Sequence, residues 1–507
     1  MPRKAMLLAS LLVLPLGALA TDATQGSGIS DATAITSSAT APNTAPEAAA
    51  SKPLTNTTAV AMQEFTVMGR SEFKKLDAAR DKELMPKLGA TAYAMDQKAL
   101  QALPQGANTP IDKVLLQAPG VSYDSAISNP DFHVRNEYAN VQYRVNGIQL
   151  PDGVSALGPV LETGFIGDLN LLDGALPAQY GLRTAGVVDI TTKTRFDQGG
   201  SLDVYGGSWG TISPSFEYGG HAGGTEYFAT GRYLQSEQGM ENAMPTANPI
   251  HDATTQEKFF AYGSTLLGDS SRLTTMAGSF VGQFQIPDVS GAEPAGDFGP
   301  ASLDSTQINE NEYDQFEFGV LALQTHTDKV DTQVSVYSRY ASIHFVPDVY
   351  NDLAFSDAAS NVTRNSLLNG LQLDAADRLC DTDTLRAGLA LTVESTQVDD
   401  LETVLPEDSG GDISPDPETI NDATDRVGWN AGAYIQDEWS IVRDLTLNVG
   451  LRFDQMDQFV TANQLSPRGA LVYKAEEGTT IHAGVSRYFT PPMQAQSTQS
   501  NPASRRT

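Results

Sequence analysis

Gly206-Gly207-Ser208-Trp209-Gly210 has the spacing of a nucleophile elbow, G-x-S-x-G. That chemistry needs a strand, a sharp turn and then a helix, so that the serine stands exposed beside a base. A strand pattern follows here, and Gly with Trp suits a hairpin near a membrane interface. The six histidines (His133, His221, His251, His326, His344 and His482) show no H-E-x-x-H or other ligand spacing. No phosphate-cradling G-x-x-x-x-G-K occurs. A single cysteine, Cys380, excludes an intrachain disulfide or a multi-cysteine metal site. The Asp/Glu-rich stretch Asp399–Asp425 offers oxygen ligands for Ca²⁺ but lacks D-x-D-x-D-G order, so it reads as an acidic surface loop. No catalytic residue, cofactor or metal is expected, and the chain is read as a non-enzyme.

What must position these residues is a β-rich framework. The chain has 507 residues, 40% of them hydrophobic, with 44 glycines and a formal net charge of −30. The acidity argues against nucleic acid, which requires a basic footprint. Low hydropathy with strand patterning suits a membrane barrel, whose lipid-facing apolar residues alternate with polar lumen residues. Arg3 and Lys4, the apolar run Ala5–Leu16 and Ala18-Leu19-Ala20 make residues 1–20 a secretory signal with cleavage before Thr21. Residues 21–61, rich in Ala, Thr and Ser, cannot bury enough apolar surface to order and read as a disordered linker. A charged stretch, Arg70–Lys87, precedes a compact domain that begins near Tyr93.

Thr109 is an N-cap candidate ahead of Pro110, with Ile111, Val114 and Leu115 on one helical face and Pro119-Gly120 as the stop after about three turns. Phe132–Arg135, Asn140–Val145, Ile166–Leu172 and Val187–Thr192 read as strands, and Asn146-Gly147 as a tight turn tolerating positive φ. One helix and several strands make residues 62–195 a small mixed α/β domain. From residue 196 to 507 period-two alternation takes over, cleanest in Leu445–Asp454. Thirteen strands are expected, from Ser201–Tyr205 to Thr480–Tyr488, with short connections at one end and mostly long ones at the other. Such sorting is the signature of an outer-membrane barrel. An odd count does not close an antiparallel barrel readily, so the barrel is expected to be incomplete. Trp439, Tyr434, Phe453, Tyr473 and Tyr488 are expected either in a ligand funnel or in the aromatic girdle at the lipid headgroups.

Several stretches together resemble the plug and barrel of TonB-dependent outer-membrane receptors. Tyr143-Arg144-Val145-Asn146-Gly147 is similar to the central plug hairpin. Tyr180-Gly181 followed by Gly186-Val187-Val188-Asp189-Ile190-Thr191-Thr192-Lys193 is similar to the plug terminus. Tyr434–Trp439 with Leu445–Asp454 looks like paired barrel strands. The resemblance implies a mainly β fold, a plug inside a transmembrane antiparallel barrel of 22 strands, of which about 13 are present. It implies uptake of a scarce solute, most commonly a ferric siderophore, energised by a TonB-type complex that pulls on a segment ahead of the plug. Glu64, Phe65, Thr66 and Val67 are the candidate contact, extended enough to add as a strand to a partner's sheet. The family often pairs plug arginines with barrel glutamates. Arg135 matches one such arginine and Glu438 is the candidate partner, whereas Leu172-Asp173-Gly174 stands where a second arginine would fall. Outer-membrane lipid is the remaining expected partner. The rival readings are a passive porin-type channel, a signalling receptor and a truncated remnant that does not transport.

Overall fold

The computed structural model describes residues 70–494, except 88, 125–130, 139–140, 151–160, 184, 195–197, 241–249, 295–297, 300–301, 407–413, 477 and 493. The signal, the linker and the candidate contact Glu64–Val67 lie outside the described residues.

The charged stretch is not a mere lead-in to the domain. Residues 70–79 are helical and pass into a π-helical turn, Arg80–Leu84. Phe73, Leu76, Leu84 and Met85 are buried, with Arg80 buried among them and held by Asp77 and Asp81, whereas Lys74, Lys75 and Lys82 are exposed on the other side. There follow β1 (Ala90–Asp96), α1 (Gln97–Gln101), α2 (Ile111–Leu115), β2 (Val121–Asp124), β3 (Asp131–Val134), β4 (Glu137–Tyr138), β5 (Val141–Val145), β6 (Ile148–Leu150), β7 (Ile166–Gly174) and β8 (Gly186–Thr192). They form a five-stranded sheet, β1-β7-β8-β5-β6, and a small β2-β3-β4 sheet. Among the described strands only β5 and β8 pair in parallel. Leu169, Leu171, Leu172, Val187, Val188 and Ile190 are all buried, as expected for central strands covered on both faces.

Two local expectations need correction. Pro110, not Thr109, occupies the cap position of α2, and Thr109 makes no capping hydrogen bond. The helix is also shorter than three turns. Gln117 and Ala118 bond back three residues, tightening the end before Pro119, which cannot donate.

The second part is one antiparallel sheet of 13 strands in chain order. Its strands are β9 (Gly199–Gly206), β10 (Ile212–Ala222), β11 (Thr225–Ser236), β12 (Thr254–Leu266), β13 (Ser271–Gln285), β14 (Asn311–His326) and β15 (Val330–Val346). After helix α3 (Val349–Ser356) come β16 (Ala358–Cys380), β17 (Asp383–Val404), β18 (Glu418–Val442), β19 (Leu445–Asp457), β20 (Thr461–Glu476) and β21 (Thr479–Ser486). Along β19, Asn448, Arg452 and Asp454 face the buried lumen while Val449, Leu451 and Phe453 face outward. The outward apolar row and the inward polar row are the two faces of a membrane barrel wall.

The acidic stretch Asp399–Asp425 is not simply a loop. Asp399–Val404 pairs with Glu418–Ala423 as a continuation of β17 and β18. β18 has 25 residues, and at about 3.4 Å per residue such a strand far exceeds the ~30 Å hydrocarbon layer. The acidic ends therefore stand in water on both faces. Among the described residues, β9 and β21 are each paired on one side only.

Candidate functional site

The site begins at the turn between β5 and β6. Asn146 and Gly147 both have positive φ, 51° and 79°, which a two-residue hairpin with the native strand twist demands. The Asn146 side chain then ties β8 in place: its Nδ2 donates to Thr192 Oγ1 at 3.0 Å and its Oδ1 accepts from Thr192 N at 3.1 Å. Two barrel glutamines reach the hairpin from β15 and β16. Gln333 donates to the Asn146 carbonyl at 3.3 Å and Gln372 to the Gly147 carbonyl at 3.1 Å.

Arg144, two residues earlier, is buried and is the hub of the plug. Its Nε donates to Gln142 Oε1 at 2.8 Å, Nη1 to the Gly147 carbonyl at 3.0 Å and Nη2 to the Gln179 carbonyl at 3.0 Å. Its guanidinium lies 4.8 Å above the ring of Tyr180. Such a planar fork serves several acceptors at once, which a lysine cannot.

Between β7 and β8 the chain runs along the lumen face of the barrel. Ala178 N donates to Gln436 Oε1 at 2.7 Å, and Leu176 N donates to Tyr488 Oη at 2.8 Å. Arg468 donates to the carbonyls of Pro177 and Tyr180, both at 2.6 Å. Arg452, braced by Asp454 at 2.6 Å, packs against Gly181, where a Cβ would lie 2.2 Å from its Nε. Gly181 is thus set by close approach. Gly186 is crowded less severely, an added Cβ meeting Leu171 at 3.2 Å and the Leu172 carbonyl at 3.3 Å.

Tyr180 is fully buried and its hydroxyl has no partner. Burial pushes its phenol well above the ordinary value, with Asp189 adding to the rise. The orphaned hydroxyl leads to a prediction. Tyr180→Phe should leave plug stability unchanged or raise it by about 1 kcal/mol, because it removes an unsatisfied polar atom and keeps the ring under Arg144. Denaturation monitored by exchange at β8 checks it.

Residues 252–505 match the family model described as TonB dependent receptor-like, beta-barrel. The chain belongs to the TonB-dependent receptor family. No curated protein sequence matches it significantly. Among solved structures, the ferripyoverdine receptor of the outer membrane of Pseudomonas aeruginosa is 14% identical, with TM-score 0.63 over 81% of this chain and 58% of that one. The ferric citrate transporter FecA is 13% identical, with TM-score 0.60 over 79% and 63%. The copper transporter OprC is 15% identical, with TM-score 0.61 over 78% and 62%. The chain spans less than two thirds of the length of these solved proteins.

In this TonB-dependent receptor, Arg135 and Glu438 are each paired with a different group. Arg135 leaves β3 in a left-handed turn (φ 51°) and binds Asp173 at 2.7 Å, within the plug. Asp173 lies in Leu172-Asp173-Gly174, the stretch where a second arginine would fall in the family pattern, and its carboxylate is buried. Glu438 pairs across the barrel wall with Arg386 at 2.6 Å. The latch between Arg135 and Glu438 is therefore replaced by two separate ion pairs. Arg386 still connects Glu438 to the plug region, since its Nε donates to the Glu83 carbonyl. The same helical segment is gripped by Arg272, 2.8 Å from Asp77, and by Gln324, which donates to the Leu76 carbonyl at 2.7 Å.

The aromatic group divides. Trp439, Phe453 and Tyr473 face outward, as girdle residues do, whereas Tyr434 points inward and donates to Asp374 at 2.7 Å and Tyr488 seats Leu176. Ser208 lies in the hairpin joining β9 to β10, with Trp209 and Gly210 at positive φ, so the elbow's strand–turn–helix setting is absent there. Among the described residues no group of three or more His, Cys, Asp or Glu side chains is placed to hold a metal.

Alternation in the sequence separates inward from outward positions, but it does not say which inward residue meets the plug. Gln333, Gln372, Gln436, Arg452 and Arg468 were missed for that reason. The polar inward positions flanking Gly450 were the available signal, since this glycine lies against Ala178 of the plug, where an added Cβ would come within 2.7 Å of it.

Proposed function

We propose that the chain is the plug and part of the barrel of an outer-membrane transporter. It binds a scarce solute outside and admits it to the periplasm when a TonB-type complex displaces the plug. One observation carries this reading. The plug is seated on the wall by backbone carbonyls accepting from barrel Arg468, Gln333 and Gln372, by amides donating to Gln436 and Tyr488, and by the ion pairs Arg232–Glu162 and Arg272–Asp77. Such a seat is strong when dry, yet water can replace every bond once a pull breaks the packing, so the energy of release stays within reach of a mechanical partner.

Export through the signal at residues 1–20, with cleavage before Thr21, would place the mature chain in the outer membrane of a Gram-negative cell. Glu64–Val67 would supply the pulled strand, and the helical segment held by Arg272 and Arg386 would be the first part to feel it. The solved proteins of similar fold are named as receptors or transporters for ferripyoverdine, ferric citrate and copper. A metal or metal chelate is accordingly the solute class proposed here.

The test uses the full-length gene. Phe65→Pro removes a backbone N–H that strand addition would use, and uptake of radiolabelled ferric chelates and copper should fall at least about tenfold with binding unchanged. Uptake unaffected by Phe65→Pro would overturn the energised reading.

A further inference from the structure

The plug meets the wall by different chemistry on its two sides. On one side plug and wall share a single hydrophobic core. Leu161, Phe165 and Ile166 of the plug are buried in the same apolar cluster as Phe228, Phe260, Phe280 and Phe316 of β11–β14. The cluster continues along the wall to Leu368 of β16, and among the described residues none of its members lies on β17–β21. Phe165 stacks on Phe260 with ring centroids 4.0 Å apart and planes 17° apart. Beside that stack, Arg232 of β11 donates to Glu162 through Nε at 3.0 Å and Nη2 at 3.0 Å, with both side chains largely buried.

On the other side the apolar residues of the plug keep to themselves. Ala90, Leu172, Leu176, Tyr180 and Val187 form a separate cluster, to which no described residue of β9–β21 belongs, and Tyr488, just past β21, packs against it. Residues 174–183 meet β18–β21 through their own backbone. Arg468 donates to the carbonyls of Pro177 and Tyr180, Ala178 N donates to Gln436, and Ser486 Oγ donates to the Leu176 carbonyl at 3.4 Å. Two of the close approaches there are between small residues. A Cβ added at Gly450 would lie 2.7 Å from that of Ala178, and one added at Gly484 2.5 Å from that of Ala175. When such surfaces part, water takes the place of each lost partner of a carbonyl or amide. When stacked aromatic rings part, water offers nothing in exchange, and the Arg232–Glu162 pair would leave two buried charges unmatched.

We propose, on the transport reading above, that the plug hinges on β11–β14 and parts from the wall at β18–β21, so that the solute passes between residues 174–183 and those strands. The Asn146-Gly147 hairpin, held by Gln333 of β15 and Gln372 of β16, lies between the hinge and the opening. A pull divides its work unequally between the two sides. The side whose bonds exchange with water yields first, and the shared core turns as one body with the wall it is packed on.

Two disulfide locks, each in the full-length gene with Cys380→Ser, separate the sides. Gly164→Cys with Thr230→Cys ties the hinge, where the two Cβ atoms would lie 3.6 Å apart, within the span of a disulfide. Ala178→Cys with Gly450→Cys ties the opening, where 2.7 Å becomes the same span after a shift of about 1 Å. Oxidised, the second lock should cut uptake of radiolabelled ferric chelates and copper at least about tenfold, with recovery on reduction, and the first should change it less than about twofold. A hinge lock that blocks uptake as fully as the other overturns the proposal, as does an opening lock that leaves uptake unchanged. Ion leak in planar bilayers tests the same asymmetry without any solute. Gln436→Leu with Arg468→Met, which loosens the opening, should raise the leak at least about fivefold, and Phe165→Leu at the hinge should leave it near native. A larger leak in Phe165→Leu overturns the proposal. Uptake indifferent to Phe65→Pro would instead overturn the transport reading, and the leak comparison would still decide which side opens.

Discussion

Arg144→Ala should lower the stability of the plug by about 3–5 kcal/mol and free its Tyr180 segment from the wall. The loss has two parts. Removing a buried guanidinium leaves a cavity between Gln142, Gly147 and Tyr180, and it strips charge-assisted hydrogen bonds from several acceptors at once. The acceptors do not suffer equally. The Gly147 carbonyl keeps Gln372 at 3.1 Å, whereas the Gln179 carbonyl keeps only Arg452 at 3.5 Å. The damage is thus directed at the Leu176–Arg183 run rather than at the hairpin. Amide exchange should rise most between β7 and β8 and less at Asn146-Gly147, and planar-bilayer recordings should show a leak. Arg144→Lys keeps the charge but not the fork, so it should recover the stacking on Tyr180 and at most one of the three bonds. Equal exchange in native and Arg144→Ala protein would show that the hub is elsewhere.

Arg144 also shows where reading the sequence stops. The strand holding it is covered on both faces, with Val141, Gln142, Arg144 and Val145 all buried, so alternation there does not distinguish a core from a contact. In the barrel the opposite holds. Most strands have an outward apolar row and a buried inward row, and they are legible as period two, with the pattern poorer near Ile212–Tyr218. The Asn146-Gly147 turn is visible because only a few residue types accept two positive φ angles in succession. The acidic ends of β17 and β18 are hidden for a related reason. They stand above the bilayer with water on both faces, so backbone pairing carries them without any apolar pattern. The helical segment 70–84 is hidden because its apolar face is short and its partners, Arg272, Gln324 and Arg386, are about 190 to 300 residues away in the chain.

Double-mutant cycles should separate the two ion pairs that a family pattern would merge into one. Glu438→Ala removes the carboxylate bonded to Arg386, leaving only the more distant Asp437, and should cost about 3–5 kcal/mol, with added exchange across residues 70–84 because Arg386 also holds the Glu83 carbonyl. Replacing both residues by leucine should cost clearly less than Glu438→Ala alone, since neither buried charge is then left unpaired. Coupling within Arg386–Glu438 should reach about 2–4 kcal/mol. Coupling within Arg135–Asp173 should be smaller, about 1–2 kcal/mol, because Arg135 is 53% exposed and its charge is screened by water. Coupling between Arg135 and Glu438 should be under about 0.5 kcal/mol, the value for groups that share no partner. A large coupling between those two would restore the direct latch. Its absence, with strong coupling in the other two pairs, would mean that a pull on the helical segment meets Arg386 and Glu438 first and reaches Arg135 only after the plug has begun to move.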